Sequence, residues 1–136
     1  DSKELTNKKL QKLLYYAQAW SITLRNEELF KDPIEAWIHG PAIAAVYEAF
    51  SKYGRDDIAK ANDLPNLTTD KLSSNEKGLL DSVWTVYGKY TGNDLEVLSH
   101  SEAPWQEARK GLEPYESSKK VISPASMKAF YGQKTK

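Results

Sequence analysis

LTNKKLQKLLYYAQAWSITL, residues 5–24, sets Leu10, Leu13, Leu14, Ala17, Trp20 and Leu24 at helical spacing and leaves Lys8, Lys9, Lys12 and Gln18 on the other side. The pattern predicts an amphipathic helix with a solvated lysine face. Thr6 stands where a hydroxyl caps free amides, and Leu5 and Leu10 occupy the two positions of a hydrophobic staple. Tyr15, Tyr16 and Ile22 widen the apolar stripe, so this helix is expected to be central and packed on two sides.

Downstream the period changes. After Asp32-Pro33, Ile34, Ala36 and Ile38 alternate with Glu35, Trp37 and His39, which predicts a short strand over 34–38. Gly40-Pro41 is then expected to open a second helix, with Ile43, Val46, Tyr47 and Phe50 buried and Gly54 as its stop. Residues 55–72 lack a period and read as a loop, the most mobile part of the chain, with one turn of helix around Ile58. Ser73 and Glu76 have capping-box spacing, and Leu79, Leu80, Val83, Trp84 and Tyr87 continue a helical stripe up to Gly88 or Gly92. Two shorter helices are predicted over 94–100 and 104–110, the second with Gly111 at its end. Ser123-Pro124 starts a last helix, with Ile122 and Met127 at staple positions. The fold class that follows is mainly α: one compact domain of five or six helices, with at most a small two-stranded β element.

A chain of 136 residues, 40% of them hydrophobic, is long enough for one core and too short for two domains. The domain is placed at 5–131, between short tails at 1–4 and 132–136. Nineteen basic residues balance nineteen acidic ones, which disfavours nucleic-acid binding by bulk charge and with it a DNA-binding regulator. The absence of cysteine excludes disulfides and thiolate chemistry, and no apolar run approaches a membrane span. A cytoplasmic protein is expected.

Catalysis has few candidates. His39 in WIHGP and His100 in LSHSEAPW lack metal-ligand spacing, and no phosphate loop or nucleophile elbow is present. The expectation is therefore no enzyme, no cofactor and no metal, with both histidines architectural. Glu102, Trp105 and Arg109 have helical spacing that suits a brace, Arg109 stacking on the indole or pairing with Glu35 or Glu102.

LTNKKLQKLLYYAQAWS, LFKDPIEAWIHGPAIAAVYEAF, LSHSEAPWQEAR and VISPASMKAFY together resemble the Panacea domain, the SocA-like family, over residues 5–131. The resemblance is carried by Lys12, Leu13, Tyr15, Tyr16, Trp20, Glu35, Ala36, Trp37, Gly40, Pro41, Tyr47, His100, Glu102, Pro104, Trp105 and Arg109; GPAIAAVY lacks the second proline of the family's usual GPVVPEVY. It implies an antitoxin of a bacterial or prophage toxin–antitoxin module that neutralises a toxin, encoded nearby, by direct binding. Some relatives resemble adaptors that deliver the toxin to an ATP-dependent cytoplasmic protease. Helical phase then nominates Lys12, Tyr16, Gln18 and Arg109 as surface contacts, joined by Trp37 and His39 of the WIHGP turn. Trp20, Glu35, Gly40, Pro41, Tyr47, His100, Glu102 and Trp105 are assigned to the structural motif.

Overall fold

The computed structural model describes residues 3–60 and 72–135. Within them, α1 (Asn7–Arg25), β1 (Glu35–Trp37), β2 (Gly40–Ala42), α2 (Ala44–Phe50), α3 (Ser74–Tyr87), α4 (Gly92–His100), α5 (Ala103–Ala108) and α6 (Pro124–Gln133) follow in order. The fold is mainly α, with one antiparallel hairpin among the described residues. No helix among the described residues is long and apolar enough to cross a membrane.

The Thr6 side chain accepts from the Lys9 amide, and α1 ends at Asn26, whose φ of 57° turns the chain out of the helix. α1 packs against α2, α3, α4, α6 and β2, which makes it the axis of the domain. That placement overturns the expected lysine face. Lys9, Gln11, Lys12 and Gln18 are all buried, whereas Leu24 is exposed. A helix covered on every side has no outward face, so its polar side chains must find partners inside.

They do. Lys9 Nζ donates to the Gly88 carbonyl at 2.6 Å and lies 5.2 Å from the Trp84 ring, putting a cation at the negative C-terminal end of α3. Burial pushes its pKa down, while Asp57 pulls it back. Gln11 accepts from the Ile43 amide and donates to Asn7, which in turn bonds the Tyr47 carbonyl. Gln18 accepts from the Leu29 amide at 2.7 Å and donates to the Phe30 carbonyl at 2.8 Å, tying the loop after α1 to its flank.

The expected strand is β1, but Gly40-Pro41 does not start a helix. The pair forms β2, with Ala36 opposite Pro41 and Trp37 opposite Gly40. The reversal depends on a φ of 111° at Gly40, which delays α2 to Ala44. α2 fully buries none of its residues; of the expected stripe, Ile43 just before it is buried, Val46 packs partly against the core, and Tyr47 is exposed. The Ile122 amide donates to the Ile34 carbonyl and the Ala36 amide to the Lys120 carbonyl, both at 2.8 Å, so the segment before α6 flanks β1.

Ser73 and Glu76 make the expected capping box, and Leu79, Val83 and Tyr87 are buried; Trp84 faces outward, over Lys9. α4 starts two residues earlier than expected, because Thr91 and Asp94 form a second capping box. α5 stops at Ala108, with Arg109 already off helical geometry. α6 runs through Gln133, so the expected tail boundary at 132 falls inside a helix. The turn at Ile58 is present as a 3-10 helix, Ile58–Lys60, held by the Ile58 amide, which donates to the Leu5 carbonyl at 2.7 Å. Residues 61–71 of the expected loop lie outside the described residues.

Candidate functional site

Two polar centres lie along α1. The first is a closed cluster of tyrosines around one carboxylate. Tyr16 and Tyr131 hydroxyls donate to Glu102 Oε1 at 2.7 and 2.9 Å, and Tyr15, 3.0 Å from the Tyr131 oxygen, completes a chain of hydroxyls. Tyr16 stacks on Tyr87 at 4.0 Å, and the Tyr87 hydroxyl accepts from Trp20 Nε1 at 2.9 Å. Tyr15, Tyr16 and Tyr131 are essentially inaccessible, and Glu102 is 6% exposed. Burial raises the Glu102 pKa, the two tyrosine hydroxyls pulling against it; burial likewise raises the pKa of Tyr15, Tyr16, Tyr87 and Tyr131. The cluster joins α1, α3, α5 and α6 and leaves no opening for a ligand.

Beside it, Arg109 clamps the backbone. Its guanidinium donates to the carbonyls of Ala36, Glu113 and Glu116 and lies 5.3 Å from the Trp105 ring. The stacking expected of it is present, whereas the expected pairing with Glu35 or Glu102 is replaced by these carbonyls. Glu35 instead accepts from Trp37 Nε1 at 2.7 Å. Trp105 donates to the Trp37 carbonyl at 2.8 Å, and His100 stacks on Trp105 at 3.9 Å. Burial lowers the His100 pKa, with Glu96 opposing and Lys12 reinforcing the shift.

The second centre is open. A cavity of about 810 Å³ lies between the start of α1, the hairpin turn, the start of α4 and the segment after α2. Lys8, Lys12 and Arg55 line it against a single carboxylate, Glu4, with Trp37 and Tyr47 as aromatic walls. The two rings meet edge to face at 5.2 Å. His39 stands at the rim, its side chain three-quarters exposed (75%), 3.5 Å from Glu96 Oε2; Lys8 also pairs with Glu96. Burial works against the Glu96 charge, but Lys8 overrides it and holds the carboxyl below its usual range.

Lys12 is 3% exposed, and its ammonium makes one hydrogen bond, to the Pro41 carbonyl at 3.3 Å. Burial, aided by repulsion from Lys8 and opposed by Glu96, pushes its pKa down to about 7. The hairpin is shaped around it: a Cβ on Gly40 would sit 2.5 Å from Lys12 Cε, in a backbone conformation that L side chains rarely adopt. Gly40→Ala is therefore expected to destabilise the domain by about 2–4 kcal/mol, read as a drop in thermal melting temperature.

The six expected partner contacts divide accordingly. Tyr16, Gln18 and Arg109 are interior, because the tyrosine cluster, the loop after α1 and the backbone carbonyls already claim their polar atoms. Lys12 is buried too, but in the cavity wall; Trp37 lines the same cavity and His39 is exposed at its rim. His39 is thus a surface group, placed where a partner contact requires it to be. Among the described residues, no three His, Cys, Asp or Glu side chains converge on a common point. The residues that sequence reasoning missed here are Tyr47, taken for core, and Arg55, taken for loop. Neither carried a signal of its own, because the cavity assembles segments distant in the chain.

The family model described as antitoxin SocA-like, Panacea domain, matches residues 10–106. No curated protein and no solved structure matches. The match covers α1 from Leu10 onward, the hairpin and the Glu102–Trp105 region, with α6 supplying Tyr131 from beyond its end. This chain belongs to the antitoxin SocA-like, Panacea-domain family.

Proposed function

We propose that the chain is the antitoxin of a bacterial or prophage toxin–antitoxin module, acting in the cytoplasm, and that it neutralises its toxin by forming a direct complex rather than by catalysis. Family membership carries the toxin–antitoxin role. Direct binding is supported by the open cavity, where Trp37 and Tyr47 offer the aromatic surface that commonly anchors interfaces and His39 and Arg55 offer polar groups beside it. The tyrosine cluster has the opposite character, since it is sealed and holds helices together.

The test is co-expression with the product of the adjacent gene, followed by co-purification and alanine scanning. Trp37→Ala, His39→Ala and Tyr47→Ala are expected to keep their melting temperature within about 3 °C while at least one weakens the complex tenfold or more. Equal binding by all three, with the fold intact, would remove this face from the interface.

A further inference from the structure

Among the described residues, Lys12 is the buried cation that the fold matches most weakly. Lys9 is matched by the end of α3 and by Trp84, and Arg109 by three carbonyls. Lys12 has one carbonyl, at 3.3 Å. Glu96, whose charge acts on it, is engaged by Lys8 and His39. A buried charge without a close counter-charge opposes folding, and methionine would fill much the same space at lower cost. Lys12 nevertheless forms part of a cavity wall, and Gly40 is the residue that leaves room for it.

Arg55 extends the same pattern outward. It is exposed, lines the cavity, and has no hydrogen bond or ion pair among the described residues. Lys12 and Arg55, neither with a carboxylate in contact among the described residues, thus face one opening. The cavity exceeds what a single small anion needs, and its aromatic walls suit the apolar parts of a peptide.

We propose that this cavity is a carboxylate receptor for the toxin: it takes an acidic side chain or a free C-terminus from an extended segment, with Lys12 as the inner counter-charge, Arg55 at the rim, and Trp37 and Tyr47 flanking the peptide. This rests on the antitoxin reading, so its test has one arm that needs no toxin. The intact ¹⁵N-labelled chain is titrated with two short alanine-based peptides, one with a central glutamate and an amidated end, the other neutral with a free C-terminus. Saturable shifts at Trp37, Gly40 and Gly92 with either peptide, absent in Lys12→Met, are expected, and the responding peptide identifies the source of the carboxylate. No localised shift with either, or shifts unchanged in Lys12→Met, would overturn the receptor.

The second arm measures affinity for the adjacent-gene product. Lys12→Met is expected to melt at a higher temperature than wild type yet bind at least tenfold more weakly, and Arg55→Ala to melt as wild type while losing affinity and salt dependence. A complex unaffected by both variants overturns the receptor and leaves the antitoxin reading standing. A wild-type chain that binds the peptides but not the gene product overturns the antitoxin reading instead.

Discussion

Glu102→Ala is expected to cost about 3–5 kcal/mol, a large share of the ~5–15 kcal/mol that holds a single domain folded, and to lower the melting temperature by about 10 °C or more. The reason is the company that Glu102 keeps. Its Oε1 accepts both the Tyr16 and Tyr131 hydroxyls, which lie where water does not reach. Truncation leaves two buried donors unpaired and opens a cavity between α1, α5 and α6. Glu102→Gln keeps a carbonyl oxygen in place and is expected to cost only about 1 kcal/mol, because burial already disfavours the charge that the amide removes. Urea unfolding of both variants checks this; equal losses would show that charge, rather than hydroxyl pairing, governs the cluster.

Lys12 gives the second large effect, in the pH dependence of stability. Its pKa is about 7 in the fold against 10.5 for an ordinary lysine. Between those values the unfolded chain holds a proton that the folded chain lacks, so stability rises with pH across that window and is lost as pH falls through it. The amplitude is on the order of 5 kcal/mol. Lys9, also lowered by burial, acts in the same direction. His100, lowered as well, adds a rise at more acidic pH. Glu96 does likewise near its own range, whereas Glu102, raised, opposes it there. Above about pH 10 the buried tyrosines reverse the trend, since their raised pKa values keep protons that the unfolded chain releases. Maximum stability is therefore expected near pH 9–10, unusually basic for a neutral protein. Lys12→Met should remove most of the rise above pH 7, and an unchanged profile in that variant would show that Lys12 titrates normally.

Both effects come from side chains that the sequence placed wrongly or only partly. Helical spacing located α1 and its Thr6 cap, and capping-box spacing located the start of α3, because these signals are local. The burial of Lys9, Lys12 and Gln18 was not legible, since hydropathy assigns such residues outward unless a helix is known to be covered on all sides. The apolar residues on both flanks of α1, notably Tyr15, Tyr16 and Ile22, hinted at that covering. Gly40-Pro41 was ambiguous because proline suits a first helical turn and a hairpin alike; pairing with Ala36, not local preference, decided it. Glu102 stood out within its motif, but its partner Tyr131 is supplied by α6, and nothing local connects them. The cavity was the least legible feature, as Lys12, Trp37, Tyr47 and Arg55 share no periodic pattern.

Direct neutralisation is tested most simply by isolating the adjacent-gene product from cells in which this chain restores growth. The expected result is full-length toxin, at undiminished level, co-eluting with this chain as a complex that survives gel filtration. Restored growth with no complex, or with the toxin depleted by proteolysis, would contradict it.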